Sequence, residues 1–297
     1  MSNDIYCFSG TGNSLYIARE LALKTNGRLL SISASEREEK IHLRSDSIGI
    51  VFPCYLAQLY GIPLVVERFV KKLENLESKY IFAVCTCGGY TLVDSLPALK
   101  RLATLIKMMG GNLSAEFSVR MPMNNLNYFF FQTQDHNKMF RDSETKIDEI
   151  SELVLAGKRN KHYYSEALFN TFMTPMYLLL RNFYIIDLKQ KAKENKTSSK
   201  KFNELIPLTD NSISVDEKCS GCSTCARVCP VQNIIMVNNR PVWQNHCEMC
   251  MACSAWCPTG AIHHWNIEKE KKYRHPQVSL KEMLNQSDFS QPDKISK

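Results

Sequence analysis

The sequence lacks the long apolar run that a membrane-spanning helix requires. Its most apolar window, residues 168–188, is interrupted by Pro175, Arg181 and Asp187 and by two asparagines. Because polar and charged residues are costly in a lipid core, no spanning helix is predicted. The N-terminus also lacks a positive region followed by an apolar core and a small-residue cleavage site. No export signal is therefore expected, and we predict a cytoplasmic protein.

Motifs for several enzyme classes are missing as well. Neither a Walker A loop nor a GxGxxG dinucleotide fingerprint occurs, and the CxxxCxxC spacing of radical S-adenosylmethionine enzymes is absent. Beyond the redox residues described below, we recognise no catalytic acid, nucleophile or nicotinamide site. The chain of 297 residues is nevertheless 44% hydrophobic, which is enough for about two domains.

Positive charge is concentrated in one stretch of the chain. Residues 157–201 contain ten Lys and Arg against three acidic residues, whereas the remainder balances at 27 to 27. We favour a solvated linker for this stretch. The alternatives, in order, are a surface that steers an acidic redox partner protein and a weak contact with an anionic membrane surface. Nucleic acid ranks below these partners because no binding motif accompanies the charge.

Cysteine, in contrast, is abundant, with twelve residues. In a cytoplasmic chain this number indicates metal or redox chemistry rather than disulfides. Eight of the cysteines form two runs of the pattern C-x2-C-x2-C-x3-C-P, offset by 28 residues. The runs contain Cys219, Cys222, Cys225 and Cys229, then Cys247, Cys250, Cys253 and Cys257. The repeated spacing indicates an internal duplication.

Three thiolates spaced by two residues wrap a short loop around three corners of a 4Fe-4S cubane. Zinc ribbons also use CxxC pairs, but they do not need a third cysteine, a fourth at x3 and a following proline, twice over. Between the runs, Ile234–Val237 and Pro241–Trp243 predict a hairpin with an Asn-Asn turn. The spacing therefore favours iron-sulfur clusters over zinc.

The two runs resemble those of bacterial two-cluster ferredoxins, in which the fourth cysteine of each run ligates the other cluster. The resemblance implies crossed sites. Cluster I would take Cys219, Cys222, Cys225 and Cys257, and cluster II would take Cys247, Cys250, Cys253 and Cys229.

A candidate phosphate site lies near the N-terminus. A predicted strand, Asp4–Phe8, and a predicted helix, Leu15–Leu23, are joined by a loop rich in glycine and small hydroxyl residues. Exposed amides and the positive end of the helix would face an anion there. The loop residues are Ser9, Gly10, Thr11, Gly12, Asn13 and Ser14.

Further strands follow in α/β rhythm. They are predicted at residues 28–33, 47–52, 80–85 and 116–120, with helices at 63–73 and 91–109 between them. Five strands with helical crossovers predict a doubly wound parallel sheet. The loop and this order together resemble flavodoxin.

The flavodoxin resemblance implies FMN, with its ring held by the loops after the third and fourth strands. Those loops supply Pro53 and Tyr55, and then Thr86, Cys87, Gly88, Gly89 and Tyr90. The Trp and Tyr pair common over the flavodoxin ring is missing, because Trp243, Trp256 and Trp265 are the only tryptophans. For the CxC formed by Cys85 and Cys87 we favour ordinary packing over a redox role.

The whole chain is similar to the flavodoxin–ferredoxin fusions found mainly in anaerobes. We predict a flavodoxin-like FMN domain at 1–156, a helical basic connector at 157–213, a small α+β ferredoxin domain with two 4Fe-4S clusters at 214–268, and a tail at 269–297. The resemblance implies an electron-transfer protein that serves a partner oxidoreductase. A self-contained FMN-dependent reductase of a small substrate and a redox sensor are the alternatives.

Overall fold

The computed structural model describes residues 2–55, 61–89, 91–124, 134–160, 181–195, 197–265 and 272–287. Its first half alternates strands and helices around one parallel sheet. The elements are β1 (Asn3–Cys7), α1 (Asn13–Lys24), β2 (Arg28–Ser31), α2 (Ile32–Ser35), β3 (Ile41–His42), β4 (Ser47–Pro53), α3 (Leu64–Val70), β5 (Leu73–Glu74), β6 (Tyr80–Cys87), α4 (Thr91–Met108), β7 (Leu113–Arg120) and α5 (His136–Leu155).

The main sheet has the order β2-β1-β4-β6-β7, and every pair in it is parallel. Numbered among themselves, these strands run 2-1-3-4-5, which is the flavodoxin-like order. The predicted doubly wound, five-stranded sheet is therefore confirmed. Residues 34–46 contain the end of α2 and the short β3, which pairs with β5.

Helices cover both faces of this sheet, so its strands are largely buried on both sides. All five residues of β1 and all but one of the eight in β6 are buried. Phe8, Phe52 and Phe82 lie in this core with no exposed surface. The carboxyl ends of β1, β4 and β6 meet at one edge, which is where ligands bind in sheets of this order.

The second half is built from short elements around the cysteine runs. Residues 181–191 lie in a helix (α6). Then come α7 (Phe202–Leu205), a 3-10 helix (Ile206–Ser212), β8 (Ser214–Val215), α8 (Thr224–Val228), β9 (Ile234–Val237), β10 (Arg240–Trp243), α9 (Ala252–Ala255), β11 (Ile262–His263) and α10 (Leu280–Ser287).

The internal duplication is visible in the backbone. Helices α8 and α9 each begin after a left-handed residue, Ser223 and Met251, whose φ angles are 61° and 63°. The predicted hairpin is confirmed as the β9–β10 pair. Asn238 and Asn239 both have positive φ in its turn, as a type I′ turn requires.

The predicted tail contains α10, which packs against β2, α2 and α8. Val278 and Met283 from this segment join the core of the first half. Most of the apolar window at 168–188 lies outside the described residues. Among the residues described, no helix is long and apolar enough to cross a membrane.

Candidate redox site

Two cavities in the second half are each lined by four cysteines. One is lined by Cys219, Cys222, Cys225 and Cys257. The other is lined by Cys229, Cys247, Cys250 and Cys253. The structure thus brings each crossed set around one cavity, and Cys229 lies with the second run.

The donor sets fit the chemistry of 4Fe-4S clusters, in which four thiolates surround a cubane. The cysteines line cavities rather than converge on a point. Within the described ranges, no three His, Cys, Asp or Glu side chains gather as the ligands of a single metal ion do.

The cysteines that line the two cavities differ in their exposure to solvent. Cys222 in the first cavity is exposed, whereas Cys250 and Cys253 in the second are each only 8% exposed. Burial raises the pKa of Cys253 to about 12, and it raises the pKa of Cys250 well above its usual value. A hydrogen bond with Thr224 lowers the pKa of Cys222. The buried thiols therefore need a strongly positive ligand, such as iron, to ionise.

A buried polar network ties Cys229 to the second run. The Asn233 backbone N–H lies 3.3 Å from the Cys229 Sγ, and the Asn233 carboxamide oxygen accepts the N–H groups of Gln244 and His246 at 3.1 and 2.6 Å. Asn233 also donates to the Asp210 carboxylate at 2.8 Å. Cysteine spacing gave no signal for Asn233 or Asp210, because their contacts depend on the folded hairpin.

Three further residues of the second cavity were also missed in sequence. Trp243, Glu248 and His264 line it beside the cysteines. The Glu248 carboxylate accepts the Val65 N–H at 3.0 Å and pairs with the Arg68 guanidinium at 2.9 Å, so it attaches the second run to the start of α3. A lone glutamate between two cysteines carries no sequence pattern that predicts this contact.

The predicted phosphate loop connects β1 with α1. Gly12 has a φ of 103°, a conformation that favours glycine, and α1 begins directly after it. The Ser9 hydroxyl accepts the Gly12 N–H at 3.1 Å, and the Ser14 hydroxyl lies 2.7 Å from that of Thr86. Ser9, Thr11 and Ser14 are all buried. The loop therefore meets the end of β6, as the parallel sheet requires.

The outer side of this loop packs against the second half of the molecule. The Trp256 indole N–H donates to the Gly10 carbonyl at 3.0 Å. A Cβ added to Gly10 would lie 1.9 Å from the Cys250 carbonyl oxygen, so only glycine fits this close approach. The Tyr273 hydroxyl donates to the Asn13 side chain at 2.6 Å.

The structure brings some of the residues predicted to hold a flavin ring close together. Pro53 and Thr86 pair in register at the ends of β4 and β6, Cys87 ends β6, and Gly88 and Gly89 form the bend that follows. Tyr90 lies outside the described residues, as do residues 56–60 after Tyr55.

Tyr55 faces the second half of the molecule. Its side chain lines a small cavity with Glu248 and Met249. Its hydroxyl is buried and makes no hydrogen bond within the described part of the chain. Burial raises the pKa of Tyr55 well above its usual value. The ring-stacking role of Tyr55 stays a prediction.

Comparison with known proteins gives a sequence-family match for one part of the chain and structural similarity for about half of it. Residues 212–270 match the sequence model of the 4Fe-4S dicluster domain. No curated protein matches the chain in sequence.

Several solved structures resemble about half of the chain. A flavodoxin from Streptococcus pneumoniae TIGR4 is 16% identical, with coverage of 52% of this chain and 98% of that one and a TM-score of 0.35. An FMN-dependent NADH-azoreductase from Bacillus anthracis, solved with FMN, is 10% identical, with coverage of 52% and 99% and a TM-score of 0.36. A Trp repressor binding protein from Bacillus subtilis is 14% identical, with coverage of 52% and 97% and a TM-score of 0.35. These similarities are too distant to identify a ligand of this chain. Its fold is identified from the strand order instead.

The dicluster match and the cysteine cavities define an iron-sulfur redox protein with 4Fe-4S clusters. Together with the 2-1-3-4-5 sheet, they make the chain a fusion of a flavodoxin-like domain with a ferredoxin domain.

Proposed function

We propose that this protein transfers electrons between FMN and two 4Fe-4S clusters, to or from a partner oxidoreductase. The observation that carries the proposal is the backbone contact between Gly10 in the candidate phosphate loop and Cys250 in the second cysteine run. Because electron transfer slows steeply with distance, contact between the two loops favours exchange within one chain.

The Ser9–Ser14 loop would hold the FMN phosphate. Its buried hydroxyls, the left-handed Gly12 and the start of the twelve-residue helix α1 support this role. For the contacts to the flavin ring we propose the residues predicted from sequence at the ends of β4 and β6. FMN supplies redox chemistry at the sheet edge, and the protein supplies binding and orientation. The proposed FMN residues are Ser9, Gly10, Thr11, Gly12, Asn13, Ser14, Pro53, Tyr55, Thr86, Cys87, Gly88, Gly89 and Tyr90.

Two crossed sites would hold the clusters. The grouping of Cys229 with the second run in one cavity, and of Cys257 with the first run in the other, supports the crossing. The Asn233 N–H directed at the Cys229 sulfur is the kind of contact that tunes cluster potential.

The exposure of the cysteines in the two cavities suggests an order for the centres. Cluster II, whose Cys250 touches the phosphate loop, would be the inner centre. Cluster I, with the exposed Cys222, would be the outer centre that a partner protein reaches. Electrons would then pass between the sheet edge and the surface through the second cavity.

Internal transfer can be tested with Cys250→Ser and the matched control Cys222→Ser. After a light pulse reduces FMN in the anaerobic protein with electrons from an added sacrificial amine donor, reoxidation of FMN by the clusters is followed by absorbance. We expect a wild-type rate in Cys222→Ser and a strongly slowed rate in Cys250→Ser, provided that iron analysis shows the other cluster retained. Equal rates in both variants would contradict the order. Turnover of a small substrate without a partner would instead favour the reductase alternative.

A further inference from the structure

Three consecutive carbonyl groups of the phosphate loop accept hydrogen bonds from outside the flavodoxin-like domain. The Gln286 side-chain amide donates to the Ser9 carbonyl at 2.8 Å, and the Trp256 indole donates to the Gly10 carbonyl at 3.0 Å. The His275 backbone N–H donates to the Thr11 carbonyl at 2.9 Å. Trp256 belongs to the ferredoxin domain, and the other two donors belong to the C-terminal segment, residues 272–287.

These bonds determine the direction of the loop amides. In a trans peptide the C=O of one residue and the N–H of the next point in opposite directions. When the carbonyls of Ser9 and Gly10 point toward the external donors, the N–H groups of Gly10 and Thr11 point away from them. Successive N–H groups directed to one side form a nest that binds anions.

The donors are themselves held rigidly. Gln286 has no exposed surface, and its own carbonyl accepts the Ser31 hydroxyl at 2.7 Å. Trp256 is 3% exposed, and the His275 ring stacks on Tyr16 with ring centroids 4.3 Å apart. Because the donors are fixed, the carbonyls cannot rotate without leaving buried polar groups unpaired.

We propose that Trp256, His275 and Gln286 are positioning residues for the phosphate site. They hold the loop in its anion-binding conformation, so FMN binding and docking of the C-terminal segment and ferredoxin domain stabilise each other. This inference rests on the proposed function. Linkage requires the effect to be reciprocal: docking raises the affinity for FMN by the same factor by which FMN favours docking.

The test uses Gln286→Met and Trp256→Phe in the full chain with its clusters in place and FMN removed. Each change removes one N–H donor and keeps a side chain of similar shape. The controls are Lys281→Gln, at an exposed position of α10, and Trp265→Phe, elsewhere in the ferredoxin domain. The dissociation constants of FMN and of riboflavin, which lacks the phosphate, are measured by quenching of flavin fluorescence.

Loss of one buried hydrogen bond predicts that each variant binds FMN about 3- to 10-fold more weakly, with riboflavin affinity and both controls unchanged. Equal weakening for both flavins would show a general structural role and overturn the inference, as would unchanged FMN affinity. Wild-type protein that binds no FMN would refute the proposed function, and the inference with it.

Discussion

Asn233 shows at the scale of single residues how Cys229 comes to lie beside the second cysteine run. Its backbone N–H points at the Cys229 sulfur. Its side-chain oxygen accepts the N–H groups of Gln244 and His246, which lie shortly before Cys247. The x3 spacing and the following proline carry Cys229 away from its own run. The sequence repeat predicted the eight cysteines, whereas Asn233 became visible only in the folded hairpin.

The crossing predicts a specific pattern of chemical damage in Cys229→Ser. The cluster in the second cavity should be lost or weakened, so Cys247, Cys250 and Cys253 should become open to alkylation. Iron content should fall toward about four per chain. Mass spectrometry after brief treatment with iodoacetamide locates the modified thiols.

Cys257→Ser is the matched control for this experiment, because it should expose Cys219, Cys222 and Cys225 instead. If Cys229→Ser exposes the first run and protects the second, the sites follow sequence order and the crossing is wrong.

At the scale of elements, α10 and the segment before it were predicted only as a tail. The strands were predictable because buried parallel strands form apolar runs, and the hairpin because Asn-Asn favours a type I′ turn. The segment at 272–287 has no comparable local pattern. Its role depends on contacts such as that between Gln286 and Ser9, which are 277 residues apart in sequence.

His275 should make the docking of this segment depend on pH. Its pKa is lowered to about 4, chiefly by burial and also by the nearby Arg19, while Glu282 opposes the shift. An unfolded histidine titrates near pH 6.5. The neutral His275 ring therefore stabilises docking fully above about pH 6.5. This stabilisation decreases as the pH falls toward 4, by at most about 1.4 kcal/mol per pH unit.

Hydrogen exchange of residues 272–287 between pH 7 and pH 5, corrected for intrinsic rates, measures this dependence. Protection should decrease toward pH 5 in the wild type. His275→Phe retains a ring against Tyr16 but cannot be protonated, so its protection should stay constant. The same slope in both proteins would show that another group is responsible.

At the scale of the whole molecule, the ferredoxin domain and the sheet edge form one contact surface. Gly10 touches Cys250, Glu248 holds the start of α3, and Tyr55 faces Met249. Sequence predicted both domains, because each has a local signature, but it did not predict how they meet. Contacts between domains depend on shape and leave no periodic pattern in the chain.

Gly10→Ala tests the importance of this surface. The added methyl group would overlap the Cys250 carbonyl, so the domains must separate or the loop must shift. We expect a loss of about 1–3 kcal/mol in the free energy of unfolding. Denaturant titration of the anaerobic protein measures it. Stability equal to wild type would mean that the two backbones are not in contact in solution.

We propose that one chain holds FMN and two 4Fe-4S clusters. The most direct test is to measure iron, acid-labile sulfide, zinc and flavin in protein purified without oxygen. We predict about eight iron, about eight sulfide and one FMN per chain, with no zinc. Zinc in place of iron would contradict the cluster assignment, and intact clusters in a protein that binds no FMN would contradict the flavin site.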